Sequence, residues 1–335
     1  MKILDSIKKN TILLLIITGI VLYIILKDDF NDIVIALKQI DIKYLLLAVI
    51  LYFLSVVIKG YANFLITNNP KKVDLKEAIK HNMITQFFNG VTPFSTGGQP
   101  MEIYMLTEHD ISVTKATNQT IQSFIFYQIA LVFCGALAVL YNFVFAIFPK
   151  VRLLQHLVLL GFAINIAVVI VLILISYSRI IMQKISKLAI LLSKKLKRNI
   201  SEEEIVQKFN NFYDGFQDIK KRKHLATKCI ILNVLSLLCL YSIPLFVLNS
   251  MNDFTSLTIA ETLTASAYVY IIGAFVPIPG ASGGIEYGFT QFYGNFINQS
   301  IISAVLLIWR FITYYLGIII GALLFNFEKK VKKCE

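Results

Sequence analysis

Two glutamates stand beside breaks in an otherwise apolar chain, and each has a proline at the same distance upstream. Glu102 follows Pro93 and Glu286 follows Pro277, and the residues between are rich in Gly, Ser and Thr. Free backbone amides at such breaks favour an anion such as phosphate. A carboxylate in apolar surroundings favours a cation, which here means an ammonium group, a coupling ion or a proton. The residue types therefore predict a site for both kinds of charge.

Each break is built from residues that cannot continue a helix, because proline removes a backbone donor and glycine admits positive φ. The structural breaks are assigned to Pro93, Pro100, Pro277, Pro279 and Gly280. Neighbouring amides and side chains, with two residues further downstream, are candidate substrate contacts. The predicted substrate-binding set is Arg310, Glu286, Glu102, Ser282, Gly283, Gly284, Thr96, Gly97, Gly98, Gln99 and Tyr314.

Arg310 lies well inside an apolar run, between Trp309 and the pair Tyr314-Tyr315. A charge at such a position must face the protein interior, a cavity or a partner charge. Two interpretations stay open: a bidentate contact with a lipid phosphate, or a structural ion pair with Glu286. The two glutamates also have a simpler alternative, which is to cap the helix that begins after each break.

The elements that carry these residues are predicted to be membrane helices. Of the 335 residues, 57% are hydrophobic and 16% are charged, and several apolar runs approach the ~20 residues that span a bilayer. The sequence thus predicts an all-α polytopic membrane protein. Six full spans are predicted near residues 11 to 27, 44 to 66, 120 to 148, 157 to 176, 229 to 248 and 301 to 325, with re-entrant helical hairpins at 76 to 106 and 257 to 297.

The distribution of Lys and Arg predicts the orientation, with both termini in the cytoplasm. The two hairpins then enter the membrane from opposite sides, which is the inverted-repeat arrangement of secondary transporters. We expect one membrane domain over 1 to 335. Its parts are a first span and outer loop (1 to 43), repeat 1 (44 to 148), a span and basic cytoplasmic linker (149 to 228), repeat 2 (229 to 325) and a basic cytoplasmic tail (326 to 335).

Other chemistry finds little support in the sequence. The net charge of +12 is explained by membrane orientation and anionic lipid rather than by nucleic acid. The four cysteines lack metal or disulfide spacing, and no nucleophile set, metal-ligand set or nucleotide-binding loop stands out. No cofactor and no metal are expected. Lys59 is predicted to snorkel to the inner interface and His81 to be solvated there.

The two Pro/Gly phrases, with Trp309-Arg310 and Tyr314-Tyr315 after them, resemble the lysylphosphatidylglycerol synthase transmembrane region, also called the flippase-like domain. The resemblance covers nearly the whole chain and is closest at Glu286 and Arg310. In two-part relatives, the multiple peptide resistance factors, this region is taken to carry aminoacylated phosphatidylglycerol to the outer leaflet. Their synthase activity belongs to a soluble C-terminal domain, which is not expected in a chain that stops at Glu335.

The resemblance implies a lipid translocase of the bacterial inner membrane that moves a phospholipid, such as lysylphosphatidylglycerol, and contributes to resistance to antimicrobial peptides. Its implied partner is an anionic or aminoacylated phospholipid. The alternative is a membrane subunit that supports a phosphatidylglycerol lysyltransferase or a glycosyltransferase encoded elsewhere. A homo-oligomer also stays open.

Overall fold

The computed structural model describes residues 40–67, 72–148, 152–195, 201–251, 257–274, 276–297 and 299–334, and these residues form helices and turns without a β-strand. Twelve α-helices lie within these ranges. They are α1 (Ile42–Thr67), α2 (Leu75–Gly90), α3 (Gly98–Glu108), α4 (Val113–Phe145), α5 (Arg152–Tyr177), α6 (Arg179–Lys195), α7 (Glu202–Lys221), α8 (Lys223–Ser250), α9 (Ile259–Gly273), α10 (Gly284–Tyr293), α11 (Gln299–Arg310) and α12 (Leu316–Cys334).

Within the ranges that the structure describes, five membrane-length apolar helices confirm the predicted all-α polytopic fold. They are α1, α4, most of α5, α8, and the continuous segment Ile301–Phe327 that runs from α11 into α12. Their outer faces expose large apolar side chains, such as Phe143 at 85% exposure, which lipid tolerates better than water. The predicted span at 11 to 27 lies outside the described residues, so a total of six spans stays a prediction.

Helix α4 begins earlier than hydropathy predicted. It starts at Val113 instead of residue 120, because the polar segment before the apolar run also folds as helix. Within that segment Thr117 donates from its hydroxyl to the carbonyl of Val113 at 2.8 Å, which satisfies the side chain inside the helix. The helix ends at Phe145, and the next residue, Ala146, has a φ of 48° and a ψ of 41° that turn the chain out of the helical path.

Both Pro/Gly phrases interrupt the helices where the sequence predicts it. A short 3-10 turn at Pro93–Ser95 joins α2 to α3, and a second one at Pro279–Ala281 joins α9 to α10. The backbone takes positive φ in both turns, at Phe94, Ser95, Gly280 and Ala281. The two turns contact each other. The irregular backbone of both halves is thus gathered at one junction.

The first helices of the two interrupted pairs also begin alike. Asp74 caps α2 by accepting from the amide of Glu77 at 2.8 Å. Thr258 caps α9 by accepting from the amide of Glu261 at 3.3 Å. These caps are related by the same chain offset that superposes the two Pro and Glu pairs. The likeness of the two phrases therefore extends to the helices that lead into them.

Aromatic packing fixes the helix that carries Arg310 against the helix that carries Glu286. The ring of Phe289 on α10 stacks on Trp309 of α11, with centroids 4.8 Å apart. Both side chains are almost completely buried, with Trp309 at 1% exposure. Glu286 lies one turn before Phe289, and Arg310 follows Trp309 directly. The stacked rings therefore hold the carboxylate and the guanidinium side by side.

Candidate functional site

The second break is shaped by glycines at positive φ. Gly280 has a φ of 65°, and a Cβ atom placed there would lie 2.2 Å from the hydroxyl oxygen of Tyr314. Gly283 has a φ of 86°, with open space where its side chain would be. Ser282 is buried and donates to the carbonyl of Pro279 at 3.2 Å. The turn therefore brings its backbone against Tyr314 and delivers the chain to the start of α10.

Glu286 and Arg310 form a buried ion pair beside this turn. Oε1 of Glu286 accepts from Nε of Arg310 at 2.7 Å and lies 2.5 Å from Nη2. The same Nη2 donates to the carbonyl of Gly280 at 3.0 Å. The residues are only 5% and 3% exposed. Because charges this buried interact strongly, the pair holds the end of α11 against the turn of the second break and against the start of α10.

Glu286 also caps its own helix. Its Oε2 accepts from the amide of Gly283 at 2.6 Å, so both carboxylate oxygens have partners. The ion pair and the helix cap, which the sequence left as alternatives, are thus both present in this conformation. The role of Glu286 and Arg310 in lipid binding stays a prediction.

Tyr314 links the ion pair to the first break. Its ring lies under the guanidinium of Arg310, with 4.8 Å between Cζ and the ring centroid. Its hydroxyl donates to the carbonyl of Gly90 at 2.9 Å, at the end of α2. The helix is wound as a π-helix over Phe311–Tyr315, directly after Arg310. Such π-turns often lie at functional sites because they redirect side chains.

At the first break, two side chains that the sequence did not single out accept hydrogen bonds from backbone amides of the turn. The amide of Gly97 donates to Oγ1 of Thr92, and the amide of Gly98 donates to Oδ1 of Asn89, both at 2.8 Å. Two of the amides predicted to bind an anion are therefore occupied in this conformation. The rest of the turn is accessible, since Thr96 is exposed and Gln99 is partly exposed.

Glu102, on α3, has polar neighbours on two other helices, α1 and α4. Its Oε1 accepts from Nδ2 of Asn63 at 3.4 Å, and Oδ1 of Asn63 accepts from the hydroxyl of Ser123 at 2.5 Å. Lys59 interacts electrostatically with Glu102. The ammonium of Lys59 lies 4.4 Å from the ring centroid of Tyr127, halfway along α4. That Lys59 snorkels to the interface stays a prediction, and its charge acts on Glu102.

Each half of the molecule thus combines a break, a carboxylate and a cation. In the second half the guanidinium touches the carboxylate, and both groups belong to the chain segment from Pro277 to Tyr314. In the first half the lysine comes from the preceding span and is held over an aromatic ring. Sequence periodicity could not associate Lys59 with Glu102, because their proximity depends on how α1 and α3 pack together.

A cluster of potential metal ligands was also missed. The side chains of Glu77, His81 and His109 place their ligand atoms within 4.8 Å of one another. His81 is only 4% exposed, so the prediction of a solvated interfacial histidine is wrong. The spacing of Glu77 and His81, one helical turn apart, was the available signal. His109 is brought to them only by the fold of the first hairpin.

The fold and the site together define an integral membrane protein with paired, interrupted helices whose breaks meet beside a buried ion pair. Comparison with known families identifies the family to which this membrane protein belongs. The chain belongs to the family described as the lysylphosphatidylglycerol synthase TM region, whose model matches residues 10–321. The chain is also 21% identical, over 272 residues, to a UPF0104 membrane protein of Archaeoglobus fulgidus, with 77% of each chain covered. The resemblance carried by the two phrases is thereby confirmed.

Proposed function

We propose that this protein moves a phospholipid headgroup between membrane leaflets through the junction of the two breaks. The observation that carries the proposal is the contact of the two turns beside the Glu286–Arg310 pair. Irregular backbone and buried charge are expensive within a bilayer and are kept where they bind or conduct a polar substrate. The family name supports a lipid as that substrate.

The ion pair favours a headgroup that carries both signs of charge. A lipid phosphate that displaces Glu286 from Arg310 leaves the carboxylate without its cation, which is costly in a buried site. An aminoacylated phosphatidylglycerol supplies the phosphate and an ammonium group together. Arg310 then holds the phosphate and Glu286 holds one ammonium group, so neither buried side chain is left without a counter-charge. We therefore infer that lysylphosphatidylglycerol or a similar lipid is moved in preference to phosphatidylglycerol.

Separation of Arg310 from Glu286 affects the contacts of both breaks. Arg310 contacts the carbonyl of Gly280 in one break, and its neighbour Tyr314 contacts the carbonyl of Gly90 next to the other. When a phosphate draws the guanidinium away, both contacts loosen at the same time. The accessible residues of the first turn, Thr96 and Gln99, then supply polar contacts for the moving headgroup. Glu102 and Lys59 offer a second pair of charges on that side.

The related helix starts and breaks of the two halves support an inverted repeat of residues 44 to 148 and 229 to 325. In this arrangement the first hairpin opens to the cytoplasm and the second to the outside. The basic residues of the linker and the tail then lie in the cytoplasm. We assign the protein to a bacterial inner membrane, with both termini inside.

The test is lipid movement by the purified protein in liposomes that hold a fluorescent lysylphosphatidylglycerol in both leaflets. A membrane-impermeant reductant bleaches only the outer leaflet, so any loss beyond the outer-leaflet fraction reports movement. We expect added loss with the protein, and less with labelled phosphatidylglycerol. Protein-containing liposomes that behave like empty ones would refute translocation. Co-purification of a transferase in that case would favour a membrane subunit of a lipid-modifying enzyme.

A further inference from the structure

The two ends of the first hairpin meet at a cluster of metal-type ligands that lies away from the junction of the breaks. Glu77 and His81 lie on one face of α2, and His109 directly follows α3. Oε2 of Glu77 is 3.8 Å from Nε2 of His81 and 3.9 Å from Nε2 of His109. The imidazole rings are tilted toward each other with centroids 5.3 Å apart. Three potential ligand atoms thus lie within 4.8 Å of one another.

The donor set and its spacing fit a small divalent transition metal. Zinc binds imidazole nitrogen and carboxylate oxygen at about 2.0–2.2 Å, and tetrahedral geometry places such ligands about 3.3–3.5 Å apart. The two Glu77 contacts, at 3.8 and 3.9 Å, exceed this by a few tenths of an ångström, and the histidine ligand atoms lie within 4.8 Å of each other. Binding therefore requires the side chains to rotate inward, which the partial exposure of Glu77 and His109, at 34% and 26%, permits.

A helix cap, apolar packing and a lysine hold the three ligand side chains in place. Asp74 caps α2 at the turn that carries Glu77. Beneath it an apolar cluster packs α2 against α3 and the start of α4, with Ala78, Leu106 and Ala116 buried. Lys80 contacts both oxygens of Glu77, at 3.2 and 3.4 Å. The lysine lies slightly closer to Oε2, so a metal bound through Oε2 would move it onto Oε1, where it can orient the carboxylate.

We propose that Glu77, His81 and His109 form a binding site for a divalent transition metal, Zn²⁺ being the best match, that fastens the two ends of the first hairpin together. The three ligands leave one tetrahedral position for water or an added ligand. The site bridges the start of α2 and the end of α3, so an ion there restrains the hairpin that carries the first break. This inference stands apart from lipid movement and is tested without it.

The experiment uses the full-length protein, purified in detergent without an affinity tag and treated with a chelator. Zn²⁺ is titrated against a chromophoric indicator, and Co²⁺ absorption reports the coordination geometry. We expect one ion per chain and a tetrahedral cobalt spectrum. Glu77→Gln and His109→Gln, both at partly exposed positions, should each weaken binding by at least about 10- to 100-fold, the loss typical of disturbing such sites.

The two remaining histidines of the chain, His156 and His224, provide matched controls. His156→Gln and His224→Gln should bind Zn²⁺ like the natural chain. Zn²⁺ should also raise the apparent melting temperature of both controls but not of His109→Gln. Absence of stoichiometric binding by the natural chain would overturn the proposal. Unchanged affinity in Glu77→Gln and His109→Gln, or an equal loss in the controls, would do so as well.

Discussion

Replacement of Arg310 by methionine should destabilise the protein strongly, and a second substitution should rescue it. Methionine keeps most of the volume of the arginine but removes its charge. Glu286 is 5% exposed and would keep only the amide of Gly283 as a partner. Breaking a buried ion pair in this way costs about 3–5 kcal/mol, because it leaves one charge uncompensated.

The double variant Arg310→Met/Glu286→Gln removes both charges. The glutamine can still accept from the amide of Gly283, so the start of α10 keeps its cap. Neutral replacement of both members of a buried pair is often tolerated, so the double variant should recover most of the ~3–5 kcal/mol lost by the single one. Glu286→Gln alone should cost a comparable amount, because it strands the guanidinium.

The assay is reversible unfolding by sodium dodecyl sulfate in mixed micelles, followed by tryptophan fluorescence. Trp309 is the single tryptophan of the chain and adjoins Arg310, so its emission reports on the site itself. Arg222→Met and Glu203→Gln, both at exposed positions, are the matched controls and should change stability by less than about 0.5 kcal/mol. Equal losses of unfolding free energy in the single and double variants would refute the reasoning that the two charges stabilise each other.

Two further predictions concern the contacts between the breaks. Tyr314→Phe removes the hydrogen bond to Gly90 and should cost about 0.5–1.5 kcal/mol in the same assay. The partly exposed Tyr287→Phe serves as its control, and equal effects would contradict the assignment. Gly280→Ala should destabilise more than Gly283→Ala, because both introduce strain of about 1–3 kcal/mol at positive φ but only the first collides with Tyr314. Similar unfolding free energies for the two alanine variants would exclude that collision.

Most of the fold follows from simple properties of the sequence. Long apolar runs in a chain with few charges must form membrane helices, and prolines and glycines must interrupt them. The breaks at Pro93 and Pro279 therefore lie where the sequence predicts. The start of α4 differs because polar residues such as Thr117 can join a helix when their side chains bond to its own backbone.

The candidate site was predictable only in its second half. Arg310 needs a charged partner inside an apolar run, and Glu286 was the nearest carboxylate in the same unit. The electrostatic interaction of Lys59 with Glu102 joins separate helices and leaves no local pattern. The capping of the Gly98 amide by Asn89 depends on the exact path of the turn. Tertiary packing determines these contacts, and they cannot be predicted from composition or residue spacing.

The central claim is that a lipid headgroup separates Glu286 from Arg310 and binds to both side chains. The most direct test compares the natural chain with Arg310→Met/Glu286→Gln in liposomes that hold fluorescent lysylphosphatidylglycerol, after equal folding has been shown by Trp309 emission. We predict that the natural chain moves the lipid and that the folded double variant leaves it at the level of empty liposomes. Undiminished lipid movement by the double variant would contradict headgroup binding by the pair and would leave it with a structural role.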